Sequence, residues 1–157
     1  MRNEMSFSWF HFFIKKLIGM KKMVKQVAAI DVAQKELVVC LGRMSDDWSP
    51  ELYAGKAFAN TAKGFESMEV WVNKMTEPEV PLRYVMEATG VYHEKLAYYL
   101  ADQGYSLSVV LPTKISNYFR TLEVKTITDK TASEAIARFG LERKLDDWHR
   151  PKSIFKR

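Results

Sequence analysis

The chain has 157 residues, 47% of them hydrophobic and 27% charged, with a formal net charge of +5; this is the composition of one ordinary globular domain long enough to bury a core. Its single cysteine, Cys40, excludes an intramolecular disulfide or a thiolate cluster, and the scattered His11, His93 and His149 offer no zinc-ligand spacing. The charge is uneven: residues 1–27 hold six Lys/Arg against one Asp/Glu, residues 28–112 seven against twelve, and residues 113–157 eleven against six, so an acidic centre suited to cations lies between basic ends suited to a polyanion.

The opening MRNEMSFSWFHFFIKKLIGM is apolar, but Ser, His and two lysines interrupt it. It is too short for a membrane span and lacks the basic, apolar, small-residue order of a signal peptide. Residues 1–23 are therefore expected to lie outside the domain. With Met20 and Met23 just ahead of the first strand, an over-long start assignment and an amphipathic arm both account for them. A membrane-surface alternative puts Trp9, Phe10, Phe12, Phe13 and Ile14 toward lipid beside Lys15 and Lys16.

From Val24 onward, short apolar runs predict strands over 25–32 and 36–44, joined by the polar turn Ala33 to Lys35 as a hairpin. Cys40, between Val39 and Leu41, fits a buried, inert thiol. A third strand is predicted near 51–59, after the turn-forming SDDWSP. Asn60 or Thr61 can cap the next helix, whose apolar positions Phe65, Met68, Val72 and Met75 recur at helical spacing. Pro78 and Pro81 bracket its exit. A strand over 82–87 follows, then a helix over 93–103 stopped at Gly104, a strand over 106–111, a helix near 113–121, and a longer helix from Asp129 to about Lys144 with Thr128 or Asp129 as cap. The order is βββαβαβαα, the layout of an RNase H-like α/β fold with a mixed central sheet. The domain is expected over 24–145, with 146–157 a linker or a truncated end.

Three acids stand out against this pattern: Asp31 within VAAIDVAQKELVVCL, Glu87 ending PLRYVMEATG, and Asp129 opening DKTASEAIARFG. A carboxylate in so apolar a run is costly unless it is hydrogen-bonded or bound. Carboxylates brought together at strand ends are also how proteins hold hard divalent cations against a phosphodiester. In the RNase H-like layout the first acid lies in the first strand, the second at the end of the fourth, and the third comes from a late helix.

Four stretches, AIDVAQKELVV, NTAKGFESMEVWV, VMEATGVYHEKLAYYLADQGYSLSVVLPTKI and KTITDKTASEAIARFG, resemble in order and spacing the amino-terminal domain of the DEDD transposases of the insertion sequence 110 family, which includes the pilin-gene invertase. MEATGVYH is the most specific of them, and the resemblance covers about residues 26–145. It implies a RuvC-like nuclease fold that binds Mg2+ or Mn2+ and cuts and rejoins DNA during insertion-sequence movement, with Asp31, Glu87 and Asp129 as catalytic and metal-binding acids. It further implies DNA as partner, a guide RNA in some full-length members, homo-oligomers of the full-length protein, no membrane, and a bacterial cytoplasmic, nucleoid-associated setting.

Two departures accompany the resemblance. The family's helical Asp-x-x-Asp-Ala becomes Asp129-Lys130-Thr131-Ala132-Ser133, so Ala132 stands where the fourth carboxylate is expected. Ser133 could supply an oxygen or hold a water; Glu134 is near in sequence but projects about 200° from position 132 on a helix. The family's carboxy-terminal domain with a catalytic serine has no counterpart here, so the fragment alone is expected to fall short of complete recombination. Lys114, Lys125, Lys130, Arg138, Arg143 and Lys144 divide between solvated helix face and DNA-backbone contact. The alternatives are a catalytically silent DNA-binding or oligomerisation module left by truncation, and an actin-like phosphotransferase. The second needs a glycine- or hydroxyl-rich phosphate turn, whereas this turn is Ala33-Gln34-Lys35.

Overall fold

The computed structural model describes residues 22–121 and 129–152, with side chains from position 132 onward in the second stretch. The expectations for residues 1–21 and their aromatic arm, for Lys125, for Thr128 as a cap, and for the side chains of Asp129 and Lys130 lie outside the described residues.

Five strands, β1 (Met23–Val32), β2 (Glu36–Ser45), β3 (Pro50–Ala59), β4 (Leu82–Glu87) and β5 (Ser106–Val110), form one mixed sheet in the order β3-β2-β1-β4-β5. The helices α1 (Ala62–Met75), α2 (Glu94–Asp102), α3 (Pro112–Phe119) and α4 (Asp129–Glu142) complete the expected βββαβαβαα order. β1 pairs antiparallel with β2 through the tight turn at Ala33, and parallel with β4. Being central, β1 is buried on both faces, which explains its unbroken run Val27, Ala28, Ala29 and Ile30, all fully buried.

Strand alternation sorts the core into two layers. Ala28, Ile30, Val32, Leu37, Val39 and Tyr84 meet Phe65, Met68 and Val72 of α1 and Leu96 and Leu100 of α2. Val27, Ala29, Cys40 and Val85 meet Ile115 and Tyr118 of α3 and Ile136, Ala137 and Phe139 of α4. Cys40 is buried, as expected. The α1 stripe stops at Val72: Met75, expected on it, is 40% exposed because it is the last residue of the helix.

Thr61 caps α1 by accepting a hydrogen bond from the Gly64 amide (3.0 Å). Asn60, the other cap candidate, reaches elsewhere, as described below. Residues 146–152, expected to belong to a linker or a truncated end, pack back against the domain. The Trp148 amide donates to the Leu107 carbonyl (2.8 Å), its ring meets Tyr98 edge-on, and Asp147 and Arg150 pair with Arg83 and Asp102. Proline and charge made this stretch look unstructured, but its tryptophan covers the outer side of β5 and α2. No helix among the described residues is long and apolar enough to cross a membrane.

Candidate active site

Asp31 and Glu87 sit on adjacent parallel strands. Ile30 is in register with Met86, so the two acids follow as neighbours one step further along. Both share the parity of Val27, Ala29 and Val85, which places them on the face covered by α3 and α4. Each is half-buried. Burial first, and then the neighbouring Asp31 charge, push the Glu87 carboxyl above the usual carboxylate range. The pair lies at the carboxyl ends of β1 and β4, where the chain leaves β1 to one side of the sheet and β4 to the other. Open α/β sheets bind ligands at such a switch point.

The direction of α4 brings its first turn to this end. Lys25, near the start of β1, donates from its Nζ to the carbonyls of Leu141 (3.3 Å) and Arg143 (3.1 Å), the last turn of the helix. A cation on these carbonyls also complements the negative end of the helix dipole. Gly140 lets the backbone close on the sheet: a Cβ there would stand 3.0 Å from Val85 Cγ2 and 3.2 Å from Val27 Cγ1. From Lys25 to Asp31 the strand advances about 20 Å, and from Leu141 back to position 129 the helix covers about 18 Å. The first turn of α4 therefore reaches the end of the sheet that carries Asp31 and Glu87. Burial lowers the Lys25 pKa from its ordinary value, with the Arg83 charge adding to the effect.

Ser133 is buried and Glu134 half-buried; both line a cavity of about 550 Å³ between α4 and the β2–β3 pair, with Val38, Cys40, Gly55 and Lys56 also in its wall. Val38 is the register partner of Asp31, so this cavity adjoins the acid pair on its β2 side. Lys114 is exposed in the first turn of α3, after Val110, the register partner of Glu87. Arg138 is half-buried along α4. Arg143 and Lys144 lie at the opposite end, beside Lys25. The Arg143 guanidinium stacks over the rings of Tyr118 (5.5 Å) and Phe139 (5.9 Å), a packing role that its charge gave no sign of.

Two further residues hold this site together. Asn60 Nδ2 donates to the Ala33 carbonyl (2.8 Å) and the Tyr92 carbonyl (3.2 Å), tying the β1–β2 turn to the loop after Glu87. Lys25 is the second. Neither carries a local sequence signal, because their partners lie tens of residues away. Among the described residues no group of three or more His, Cys, Asp or Glu converges; the acids placed together are the pair Asp31 and Glu87.

Comparison with known proteins agrees with this fold. The chain matches the family model DEDD_Tnp_IS110, described as a transposase, over residues 28–155. It is 29% identical over 131 residues to the pilin gene-inverting proteins of Moraxella bovis and Moraxella lacunata, covering 83% of this chain but 38% of each relative. Among solved structures it is similar in fold to Thermus thermophilus RuvC in complex with Holliday junction substrate (TM-score 0.51, 12% identity, 78% of this chain and 99% of that one). It is likewise similar to the fowlpox virus Holliday junction resolvase (TM-score 0.51, 14% identity, 74% and 97%). With the family model spanning most of its length and a RuvC-like mixed sheet beneath the acid pair, the chain belongs to the insertion sequence 110 family of DEDD transposases.

Proposed function

We propose that this chain is the metal-dependent nuclease part of a DNA transposase, acting on DNA strands in the cytoplasm during insertion-sequence movement. The observation that carries the reading is the pairing of Asp31 and Glu87 on neighbouring strands, where burial and the Asp31 charge make the Glu87 carboxyl harder to ionise. Two half-buried hard-oxygen donors side by side fit Mg2+ or Mn2+, whose charge offsets both. When bound, such an ion supplies Lewis acidity at a phosphodiester and a more acidic water.

Asp31 and Glu87 would hold the ion from the sheet and Asp129 from the helix. At 3.6 residues per turn, position 129 shares its stripe with Ser133, Ile136 and Gly140. With Ala132 in place of the family's fourth acid, a three-carboxylate site completed by water, or by Ser133, is the reading adopted. Lys114 is the phosphate contact best situated for this site, with Arg138 behind it. Arg143, some 20 Å away along β1, is assigned to its packing on Tyr118 and Phe139, and Lys144 beside it lies equally far from the acids. Because the chain spans 38% of the length of its curated relatives, strand transfer, any guide RNA and assembly into oligomers are assigned to the full-length protein.

Calorimetric titration with Mg2+ or Mn2+ tests the reading. Binding that Asp31→Asn or Glu87→Gln removes and Lys63→Ala leaves intact supports it. Binding that survives both acid substitutions would instead favour a catalytically silent module.

A further inference from the structure

On the α1–α2 side of the sheet, Tyr84 of β4 is the largest side chain buried completely among the described residues. Its hydroxyl meets no hydrogen-bond partner among them. A phenylalanine would fill the same space without a polar atom, and a hydroxyl sealed from solvent with nothing to bond loses its hydration uncompensated. The surroundings are nevertheless polar. Tyr99 and Tyr105 donate to Glu69 Oε1 and Oε2 of α1 (2.5 Å each), and the Tyr105 ring meets the Tyr84 ring at 5.2 Å between centroids, inclined by 62°. Asn73 Nδ2 donates to Tyr105 Oη (3.1 Å). Burial first, and then the charges of Tyr105, Glu69 and Tyr99, push the Tyr84 pKa up, which marks these three groups as its titratable neighbours.

We propose that one buried water bridges Tyr84 Oη to the Glu69 carboxylate, tying β4 to α1. Three features favour a water over a direct bond or a dry interior. Glu69 is already held by two short bonds from other tyrosines, and with its oxygens so fixed the Tyr84 hydroxyl does not reach them. A carboxylate accepts at about four sites, so Glu69 keeps capacity beyond these two bonds, and Tyr105 Oη can accept as well. A buried water makes about three hydrogen bonds, a number that Tyr84 as donor and Glu69 and Tyr105 as acceptors supply. Tyr105 and Asn73 also line an open groove of about 540 Å³ with Thr76 and Leu82, which brings solvent to the edge of this cluster. The proposal stands apart from the metal reading, because Tyr84 packs on the face of the sheet opposite to Asp31 and Glu87.

The test is a crystal structure of the whole chain with its ordered solvent, read together with thermal melts of Tyr84→Phe, a substitution that keeps the ring and its packing. The expected density is one water within hydrogen-bond distance of both Tyr84 Oη and Glu69. The Phe variant should melt about 2–4 °C lower than the parent, the shift that one net hydrogen bond makes in a domain of this size. An orphaned hydroxyl gives the opposite sign, since Phe then removes a polar atom that nothing satisfied. No water density at that place, a direct bond from Tyr84 to Glu69, or a Phe variant that melts at or above the parent temperature overturns the proposal.

Discussion

Lys25 and Leu141, 116 residues apart, are joined by a hydrogen bond from the lysine Nζ to the leucine carbonyl (3.3 Å), which fixes the far end of α4 at the start of β1. Since strand and helix then run back over similar lengths, this contact sets how far the first turn of α4 advances over the acid pair.

Lys25→Met should therefore act twice. Losing the two charged donors to Leu141 and Arg143 at a part-exposed position is expected to cost about 1–2 kcal/mol in urea unfolding. Mg2+ affinity should fall as well, although Lys25 is far from the acids. Lys25→Arg should recover most of the stability, and a Met variant as stable as the parent would show that packing alone holds α4.

The raised Glu87 pKa gives a pH dependence with a defined sign. Folding favours the protonated carboxyl, so without metal the stabilising effect of that proton is present below the ordinary glutamate pKa and is lost as pH rises through the folded value. Glu87→Gln should flatten this fall and make the metal-free protein more heat-stable at pH 7. Asp31→Asn, by removing the neighbouring charge, should shift the fall to lower pH. Thermal melts from pH 4 to 8 in chelator check both, and an unchanged profile in the Gln variant would assign the slope to other groups.

Ala132→Asp tests the departure from the family pattern. It restores an acid three residues after Asp129, on one side of the helix, and about tenfold tighter Mg2+ binding by calorimetry, ~1.4 kcal/mol, is expected. Unchanged affinity in a folded variant would mean that Ser133, Glu134 or water already completes the coordination.

Trp148 tests the extent of the folded unit. Its amide bond to Leu107 and its edge contact with Tyr98 suggest that Trp148→Ala costs about 2 kcal/mol, less than a fully buried Trp because the site is half-exposed. Denaturation that does not notice the change would return residues 146–152 to the role of a linker.

How much of this was legible in the sequence follows from the range of each interaction. The order of elements along the chain, the hairpin at Ala33 and a cap at the start of α1 were readable because alternation, turn residues and helical spacing are local and repeat over a few positions. Asp31 and Glu87 were readable for a related reason: a carboxylate interrupting an apolar run is conspicuous without knowing its neighbours. Tertiary structure alone decided that these two acids face the same side of the sheet, since that depends on the register between β1 and β4, 56 residues apart at Asp31 and Glu87. It also decided that Lys25 caps α4, that Asn60 binds two loops rather than a helix start, and that Arg143 stacks on rings rather than standing free. The contacts of Trp148 were not legible on the same ground, because Pro151 and the charges beside it are local signals while the surface that receives the ring is assembled from β5 and α2. Side-chain type and spacing determined which elements form and which residues are chemically conspicuous; partners distant in sequence, which carry no periodic signature, determined what those residues do.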